Sequence, residues 1–429
     1  MKLNNSFFCA LLIFTSSATA GISLAHADAL IQPNDMLAIC GDSITEQKMY
    51  SVFMEDYLLT CQPTQGLKVA QFGWGGERAP GLLARLDTDV FPFKPTVATT
   101  CYGMNDGGYK ALDDATANTY RTSQTAIIEA MKKAGVRSIV LGSPKCVDSS
   151  AYHHDPAAAE VYNKTLGSLS QIDQEIATKE GVVYADVFGA TTSAMEKSKA
   201  AFGNDYVFAG NDGVHPGLNG HLVMAYAFLK ALGCDGAIGT ITVDLASGQA
   251  EGSPGQKVIS FQKGTVNLES TRYPFCFQGD LTGKDQNTAG ILKFVPFNED
   301  LNRYVLVVKG LKAKTAKVTW GKTSKEFSAA DLEKGINLAA EFLDNPFVDQ
   351  FFKINAAVQA QQAFETFFTK VYLMNLQQTK QMAPNEAAAI DRVTAAGFEK
   401  EATLFQAAQA LVTPVQHTLT IEPVSEATP

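Results

Sequence analysis

Short apolar runs alternate with longer amphipathic stretches through the first half of the chain. The apolar runs predict five buried strands, at residues 36–40, 68–72, 96–101, 138–141 and 182–187. The amphipathic stretches between and after them predict helices at residues 47–60, 115–134, 157–180 and 218–232. Strands that alternate with helices form a parallel sheet covered on both faces, so this half of the chain is predicted to be an α/β domain.

The pattern changes after Gly233. From about residue 238 to residue 320, β-branched runs are separated by turns rich in Gly, Ser and Asn, which predicts a small β-rich domain. Residues 346–411 are rich in Ala, Gln and Phe and predict two helical stretches broken near Pro384. A last apolar run at 418–424 fits a further strand.

These changes of pattern divide the chain into an α/β domain at 28–235, a β-rich domain at 236–335 and a helical region at 336–429. The helical region carries aromatic residues that need an apolar surface to cover them. They are Phe347, Phe351, Phe352, Phe364, Phe367 and Phe368. We therefore expect the helical region to pack on the preceding domains.

Composition narrows the class of protein. The chain has 429 residues, 46% of them hydrophobic, which is enough for more than one core. Its formal net charge is -9, and no basic stripe is present for binding phosphates. A nucleic-acid partner is therefore not expected.

The N-terminus has the features of an export signal. Lys2 precedes an apolar run at residues 7–14, and Ala25-His26-Ala27 matches a cleavage site, with Ala18-Thr19-Ala20 as a competing one. The apolar run is shorter than the ~20 residues that span a bilayer, which disfavours a membrane anchor. We expect residues 1–27 to be a cleaved signal peptide, the mature protein to be secreted or periplasmic, and no integral membrane segment to remain.

Six cysteines follow the predicted signal peptide, which itself contains Cys9. They are Cys40, Cys61, Cys101, Cys146, Cys234 and Cys276. In an oxidising compartment they could form disulfides, whose pairing the sequence leaves open. Cys40 and Cys101 lie inside predicted core strands, which favours buried small hydrophobic residues at those two positions.

The first predicted strand ends in Gly41-Asp42-Ser43-Ile44. A buried strand that ends in a turn carrying an exposed hydroxyl is a common way for an α/β enzyme to present a nucleophile. Ser43 with Glu46 also fits a capping box at the start of a helix. Both interpretations agree with a helix beginning here, whose free N–H groups can stabilise a developing oxyanion.

A base with an orienting carboxylate is available at Asp212 and His215. A nucleophilic serine needs a neighbouring base, and the base needs a partner that fixes its tautomer. The spacing of three residues in a loop lets one carboxylate reach the imidazole, although Asn211-Asp212-Gly213 also reads as an ordinary turn. His221, on the following predicted helix, is expected to be structural.

Oxyanion donors are available after the second and third strands. Asn105 lies in a turn-rich segment after the strand at 96–101, and its amide can donate to a negative oxygen. Gly75 and Gly76 follow the strand at 68–72, where the lack of a side chain leaves a backbone N–H open to a substrate. The carboxyl ends of parallel strands are where doubly wound sheets bind ligands.

The four blocks Gly41-Asp42-Ser43, Gly76, Gly103-x-Asn105-Asp106 and Asp212-x-x-His215 resemble those of the SGNH, or GDSL-type, esterase and lipase superfamily. The resemblance covers about half of the chain. It implies a flavodoxin-like three-layer α/β/α sandwich and a serine hydrolase with a Ser43–His215–Asp212 triad.

By the same resemblance, the Ser43 N–H, the Gly76 N–H and the Asn105 amide would form the oxyanion hole. Gly73 or Gly75 could take the place of Gly76, because the second block departs from the common family pattern. Asp42 would tie down the loop. The chain has no Gly-x-Ser-x-Gly elbow at the serine, which excludes a standard α/β-hydrolase arrangement.

No cofactor or metal is expected. His153-His154-Asp155 could suggest a metal site, but no third ligand with suitable spacing is apparent. The expected reaction is hydrolysis of a carboxylic ester, with O-acetyl groups on carbohydrate as the favoured substrate because a β-rich domain and export accompany the hydrolase motifs. Trp74 and Tyr109 could stack on a sugar ring.

Two alternatives remain open from the sequence. One is a lipase or thioesterase-like acylhydrolase. The other is a non-catalytic carbohydrate-binding protein on the same scaffold.

Overall fold

The computed structural model describes residues 30–282 and 286–424. The predicted signal peptide, residues 1–27, lies outside the described residues. Among the helices that the structure does describe, none combines the length and apolar character that a bilayer crossing requires.

A five-stranded parallel sheet forms the first half of the molecule, and it confirms the predicted α/β sandwich. Its spatial order is β2-β1-β3-β4-β5. The strands are β1 (Met36–Gly41), β2 (Lys68–Gly73), β3 (Val97–Cys101), β4 (Ser138–Gly142) and β5 (Val183–Ala185). The register pairs Gly41 with both Gly73 and Cys101, so the carboxyl ends of β2, β1 and β3 finish level with one another.

In the described part of this half, seven α-helices accompany the sheet. They are α1 (Ser43–Glu46), α2 (Tyr50–Thr60), α3 (Ala79–Arg85), α4 (Asp114–Lys133), α5 (Pro156–Glu180), α6 (Val187–Phe202) and α7 (Leu218–Ala231). The side chains of β1 alternate between two cores, because successive residues of a strand point to opposite faces. Leu37 and Ile39 pack with α2 and α7, whereas Met36 and Ala38 pack with α3 and α4.

Two local predictions were wrong. The fifth strand was expected to reach residue 187, but Val187 begins α6, because Asp186 accepts a hydrogen bond from the Gly189 N–H and caps that helix. Helices α3 and α6 were not predicted at all. Pro80 and Gly81 obscure the helical pattern of α3, and small residues obscure that of α6.

The second half of the chain contains two further sheets. One has the order β13-β10-β6-β7 and the other has the order β12-β11-β14-β9-β8. The strands are β6 (Ala237–Asp244), β7 (Gln249–Gly252), β8 (Gln256–Gln262), β9 (Thr265–Ser270), β10 (Arg303–Lys309), β11 (Thr315–Trp320), β12 (Thr323–Ser328), β13 (Ile336–Asn337) and β14 (Val415–Val424). Since β14 lies between β11 and β9, the apolar run near the end of the chain completes this sheet.

Among the described residues of this half there are six α-helices. They are α8 (Phe297–Asp300), α9 (Ala329–Lys334), α10 (Leu338–Glu341), α11 (Val348–Phe367), α12 (Met374–Met382) and α13 (Ala387–Ala410). A π-helical turn, Phe368–Leu373, joins α11 to α12, and a short turn at Pro384 separates α12 from α13.

Helix α11 packs against α2 and β2 of the first half of the molecule. The aromatic residues of this region divide by burial: Phe347, Phe351 and Phe368 are buried, whereas Phe367 is exposed. Phe351 packs edge-to-face on Phe275, which in turn contacts Phe53 of α2. The C-terminal helices therefore share a core with the α/β sandwich.

All six cysteines in the described part of the chain are buried free thiols. Burial raises the pKa of the Cys40 thiol to about 12 and that of Cys234 to about 12, so both stay protonated at neutral pH. Cys40 and Cys101 occupy core strands as small apolar side chains. Cys9 lies outside the described residues.

Candidate active site

Ser43 lies at the first residue of α1, directly beyond the end of β1. The capping-box interpretation was wrong about the capping residue. Asp42 caps the helix, because its Oδ1 accepts a hydrogen bond from the Ile44 N–H at 2.9 Å. The Ser43 hydroxyl is therefore not used for capping and is available to other groups.

The structure brings the three residues of the predicted triad together. Ser43 Oγ lies 2.8 Å from His215 Nε2, although the two residues are 172 positions apart in the chain. On the other side of the ring, His215 Nδ1 lies 2.7 Å from Asp212 Oδ2. A carboxylate can only accept at this distance, so Nδ1 carries the ring proton and Nε2 presents a lone pair to Ser43.

The turn that carries Asp212 is held by its own carboxylate. Asp212 Oδ1 accepts hydrogen bonds from the N–H groups of Val214 and His215, at 2.8 and 2.9 Å. Burial alone would raise the pKa of Asp212, but the hydrogen bonds from His215 and Val214 outweigh it and lower the pKa below its ordinary value. Asp212 is therefore ionised at neutral pH.

A buried ion pair also stabilises the turn that carries Asp212. Lys199 Nζ lies 2.9 Å from Asp148 Oδ1, and both side chains are almost completely buried. Asp148 also accepts from the Phe208 N–H, and its own N–H donates to the Gly213 carbonyl. Sequence reasoning did not find this pair, because nothing in the spacing of Asp148 and Lys199 indicates that they meet.

The three glycines considered for the second block differ in what their N–H groups bind. The Gly73 N–H donates to Gln71 Oε1 at 2.9 Å, and the Gly75 N–H donates to Glu46 Oε2. Within the described ranges, the Gly76 N–H has no protein acceptor. Gly76 has a φ of +72° and nothing within 4 Å of where a side chain would begin, so it lies open to a ligand.

Asn105 lies at the same edge of the sheet, beyond β3. Its Nδ2 donates to the Glu77 carbonyl at 3.0 Å and is 3.5 Å from Asp42 Oδ2. Its Oδ1 accepts from the Tyr109 hydroxyl at 2.8 Å. The amide is thereby oriented from three sides, with its longest and weakest contact to Asp42.

Two buried carboxyl groups, those of Asp42 and Asp106, lie among the loops of the site. Burial raises the pKa of Asp42 to about 7, and it raises the pKa of Asp106 to about 6. Asp106 accepts from the Ala79 N–H at 2.9 Å and from the Gly103 N–H at 3.0 Å, which joins the second and third blocks. Both residues therefore connect loops, in agreement with the structural role expected of Asp42.

The two aromatic residues near the site differ. Tyr109 is 43% exposed and stacks on Tyr162 with ring centroids 5.1 Å apart. Trp74 is half-buried, with the Arg85 guanidinium carbon 5.2 Å and Lys370 Nζ 4.8 Å from its ring centroid. Trp74 is thus already engaged by cations, which the sequence did not predict.

The other histidines near the predicted site have different surroundings. His221 is fully buried, accepts from the Tyr50 N–H and contacts Gln47 Oε1 at 2.9 Å. Burial lowers the pKa of His221 to about 3, as suits a structural residue. His153 and His154 are exposed, and the following Asp155 caps α5. In the described residues, no group of three or more His, Cys, Asp or Glu side chains is arranged to hold a metal ion.

Comparison with known proteins finds similar sequences and a similar fold. Residues 39–223 match the GDSL-like Lipase/Acylhydrolase family. An acetylxylan esterase from Geobacillus stearothermophilus is 23% identical over 189 residues, which cover 43% of this chain and 80% of the relative. A solved structure described as a gut microbial diltiazem-metabolizing enzyme has a TM-score of 0.72 at 22% identity, and covers 92% of this chain and 98% of its own. The shared fold therefore extends through the C-terminal sheets and helices.

Proposed function

Since residues 39–223 belong to the GDSL-type esterase and lipase superfamily, and the chain is accordingly an ester-hydrolysing enzyme, we propose that it is a serine esterase acting through Ser43, His215 and Asp212. The observation that carries this proposal is the continuous hydrogen-bonded chain from the Ser43 hydroxyl through His215 to the Asp212 carboxylate. It holds the imidazole in the tautomer that a general base needs.

In the proposed reaction, His215 Nε2 takes the Ser43 proton as Ser43 Oγ forms a bond to the ester carbonyl carbon. The negative carbonyl oxygen accepts from the N–H groups of Ser43 and Gly76 and from the Asn105 amide. Collapse of this intermediate breaks the bond to the alcohol, which leaves with the proton from His215. Water, deprotonated by His215, then attacks the acyl carbon of the acyl-serine. The bond to Ser43 Oγ breaks, Ser43 takes the proton back from His215, and the acid is released.

The role of Gly76 is supported by its unpaired N–H, which distinguishes it from Gly73 and Gly75. Asn105 requires a small adjustment. Its amide must turn one N–H from the long contact with Asp42 toward the oxyanion while keeping the bond to the Glu77 carbonyl. Catalytic hydrogen bonds are often completed only when substrate binds.

The substrate we propose is an O-acetyl group on a carbohydrate. The acetylxylan esterase relative supports this choice, as does the exposed ring of Tyr109 beside Asn105. An exposed aromatic ring next to a catalytic site can stack on a sugar. We also propose that residues 1–27 direct export, which N-terminal sequencing of the mature protein would test.

The first experiment asks which residue forms the covalent intermediate. A phosphonate ester that mimics the tetrahedral intermediate should modify Ser43, as read by mass spectrometry of peptides, and the Ser43→Ala protein should remain unmodified. Modification of another residue, or none in the parent protein, would contradict the proposed mechanism.

The second experiment identifies the acyl group and the alcohol. We expect nitrophenyl acetate to be hydrolysed faster than long-chain nitrophenyl esters, and acetate to be released from acetylated xylooligosaccharides. A preference for long acyl chains would favour the lipase alternative. Binding of glycans without acetate release would favour the carbohydrate-binding alternative.

A further inference from the structure

The carboxylate of Glu46 joins three parts of the molecule. Glu46 is the last residue of α1, the helix that begins with Ser43. Its Oε2 accepts from the Gly75 N–H, next to Gly76. Its Oε1 lies 2.6 Å from the Nζ of Lys370, which belongs to the π-helical turn after α11 and is 324 positions away in the chain. The C-terminal helices therefore reach the loop that carries Gly76.

Lys370 also contacts this loop directly. Its Nζ lies 4.8 Å from the ring centroid of Trp74, the residue before Gly75. A cation at this distance from an indole ring is attracted by the electrons of the ring. Lys370 therefore holds the Gly76 loop through two neighbouring residues, Trp74 by its ring and Gly75 by way of Glu46.

Helix α11 holds β2, the strand that leads into the same loop. Gln71 donates from its backbone N–H to Glu365 Oε2 at 2.9 Å and from its side chain to the Gln362 carbonyl at 3.2 Å. At Gly73, a Cβ atom would be only 2.2 Å from the backbone nitrogen of Glu46, so the loop lies directly on α1. The second half of the chain thus contacts this segment at two places, at Gln71 in β2 through α11 and at Trp74 through Lys370.

The charge of Glu46 makes its pairing important. A carboxylate bound to Gly75 lies one residue from the N–H that would receive the oxyanion, and an unpaired negative charge there opposes the developing negative oxygen. The ammonium group of Lys370 pairs with the carboxylate directly, whereas that of Lys48 binds the Glu46 carbonyl oxygen. The side chains of Glu46 and Lys370 are both 26% exposed, so solvent screens this charge only partly.

We propose that Lys370 is a positioning residue for the ester hydrolysis described above, acting through Glu46 and Trp74 on the Gly76 loop. This inference rests on the proposed function. It gives the C-terminal helices a part in setting the oxyanion site, in addition to covering the apolar surface of the sandwich.

The test compares Lys370→Met with Lys370→Arg and with the matched control Lys380→Met. Lys380 pairs with Asp391 at 2.7 Å within the same group of helices, away from the loop. We expect Lys370→Met to lower kcat about tenfold with little change in KM, less than the ~10²–10³-fold cost of losing an oxyanion donor. Arginine should restore most of kcat, and Lys380→Met should match the parent. Equal melting temperatures would show that all variants are folded.

A double variant separates the charge effect from simple loss of structure. In Lys370→Met, the further change Glu46→Gln removes the unpaired charge while its side-chain oxygen can still accept from the Gly75 N–H. We expect the double variant to be faster than Lys370→Met alone. Parent-like kcat in Lys370→Met, or an equal fall in Lys380→Met, would overturn the role of Lys370 while leaving the proposed function intact. A parent protein that hydrolyses no ester would overturn both.

Discussion

The described residues contain two hydrogen-bonded serine–histidine pairs, and of these only Ser43–His215 has the arrangement of a catalytic pair. In the α/β sandwich, His215 Nε2 is 2.8 Å from Ser43 Oγ. In the β-rich half, His417 Nε2 is 2.9 Å from Ser270 Oγ. The two distances are nearly equal, so distance alone does not distinguish the pairs.

The two imidazoles differ in the group that binds Nδ1. Asp212 accepts a hydrogen bond from Nδ1 of His215, which leaves Nε2 as the basic atom. Trp320 donates its indole N–H to Nδ1 of His417 at 3.1 Å, which requires the proton of a neutral ring to be on Nε2. His417 therefore donates toward Ser270 and cannot accept its proton.

Burial reinforces the contrast. Ser270 and His417 are buried between the strands, and burial lowers the pKa of His417 to about 4. Ser43 and His215 are half-buried and reach the surface at the carboxyl edge of the parallel sheet. The two pairs therefore differ in what the second nitrogen of the histidine binds and in their exposure to solvent.

The largest expected effect comes from removing each serine in turn. We expect Ser43→Ala to lower the rate of acetyl-ester hydrolysis by a factor on the order of 10⁴ or more, because the nucleophile is lost. The matched variant Ser270→Ala should retain the parent rate. Comparable losses in both variants, measured with nitrophenyl acetate, would mean that the two pairs are not functionally distinct.

Asp212→Asn would give His215 the tautomer that His417 has in the Ser270–His417 pair. The Asn oxygen should keep the two backbone N–H groups that bind Oδ1 of Asp212, which turns its NH₂ group toward Nδ1 of His215. The imidazole would then carry its proton on Nε2, as His417 does. We expect kcat to fall ~10³–10⁴-fold with folding unchanged. A variant that keeps the parent kcat would show that the tautomer does not control the reaction.

The pH dependence of the free energy of unfolding should reflect the protonation of His417 in the buried Ser270–His417 pair. His417 has a pKa of about 4 when folded, against about 6.5 when unfolded, so the unfolded chain binds the extra proton between these values. The stabilisation that results is fully present above pH 6.5. The free energy of unfolding should fall by about 3 kcal/mol as the pH falls from 6.5 to 4. Urea unfolding should show a shallower pH slope in His417→Gln than in the parent. Identical slopes would contradict this assignment.

The smallest expected effect on activity is that of Trp320→Phe. This change removes the N–H that donates to His417 and leaves the buried acceptor without that partner, at a cost of about 1–2 kcal/mol in the free energy of unfolding, and the smaller ring adds the cost of a cavity in the core. The rate of ester hydrolysis should not change, because the pair lies outside the proposed site. A lower kcat at unchanged stability would instead connect this residue to catalysis.

Several features of the fold could be predicted because they depend on local patterns. The strands β1 to β4 begin and end within one residue of the predicted positions, since short apolar runs bounded by glycine and polar residues mark them clearly. Helix α6 and the short β5 were misjudged, because the cap at Asp186 depends on a side-chain contact that hydrophobic periodicity does not reveal.

The sequence by itself determined the order of the motifs. Because parallel strands place their carboxyl ends together, it predicted Ser43 and Asn105 at one sheet edge. Asp212 and His215 follow no strand, and the resemblance to the GDSL-type superfamily added them to this site. Only the tertiary structure shows that the Gly73 and Gly75 N–H groups have acceptors whereas the Gly76 N–H has none among the described residues, because these contacts come from side chains elsewhere in the fold. The contact between Lys370 and Glu46 was also found only in the tertiary structure, because an ion pair between residues 324 positions apart leaves no local pattern in the sequence.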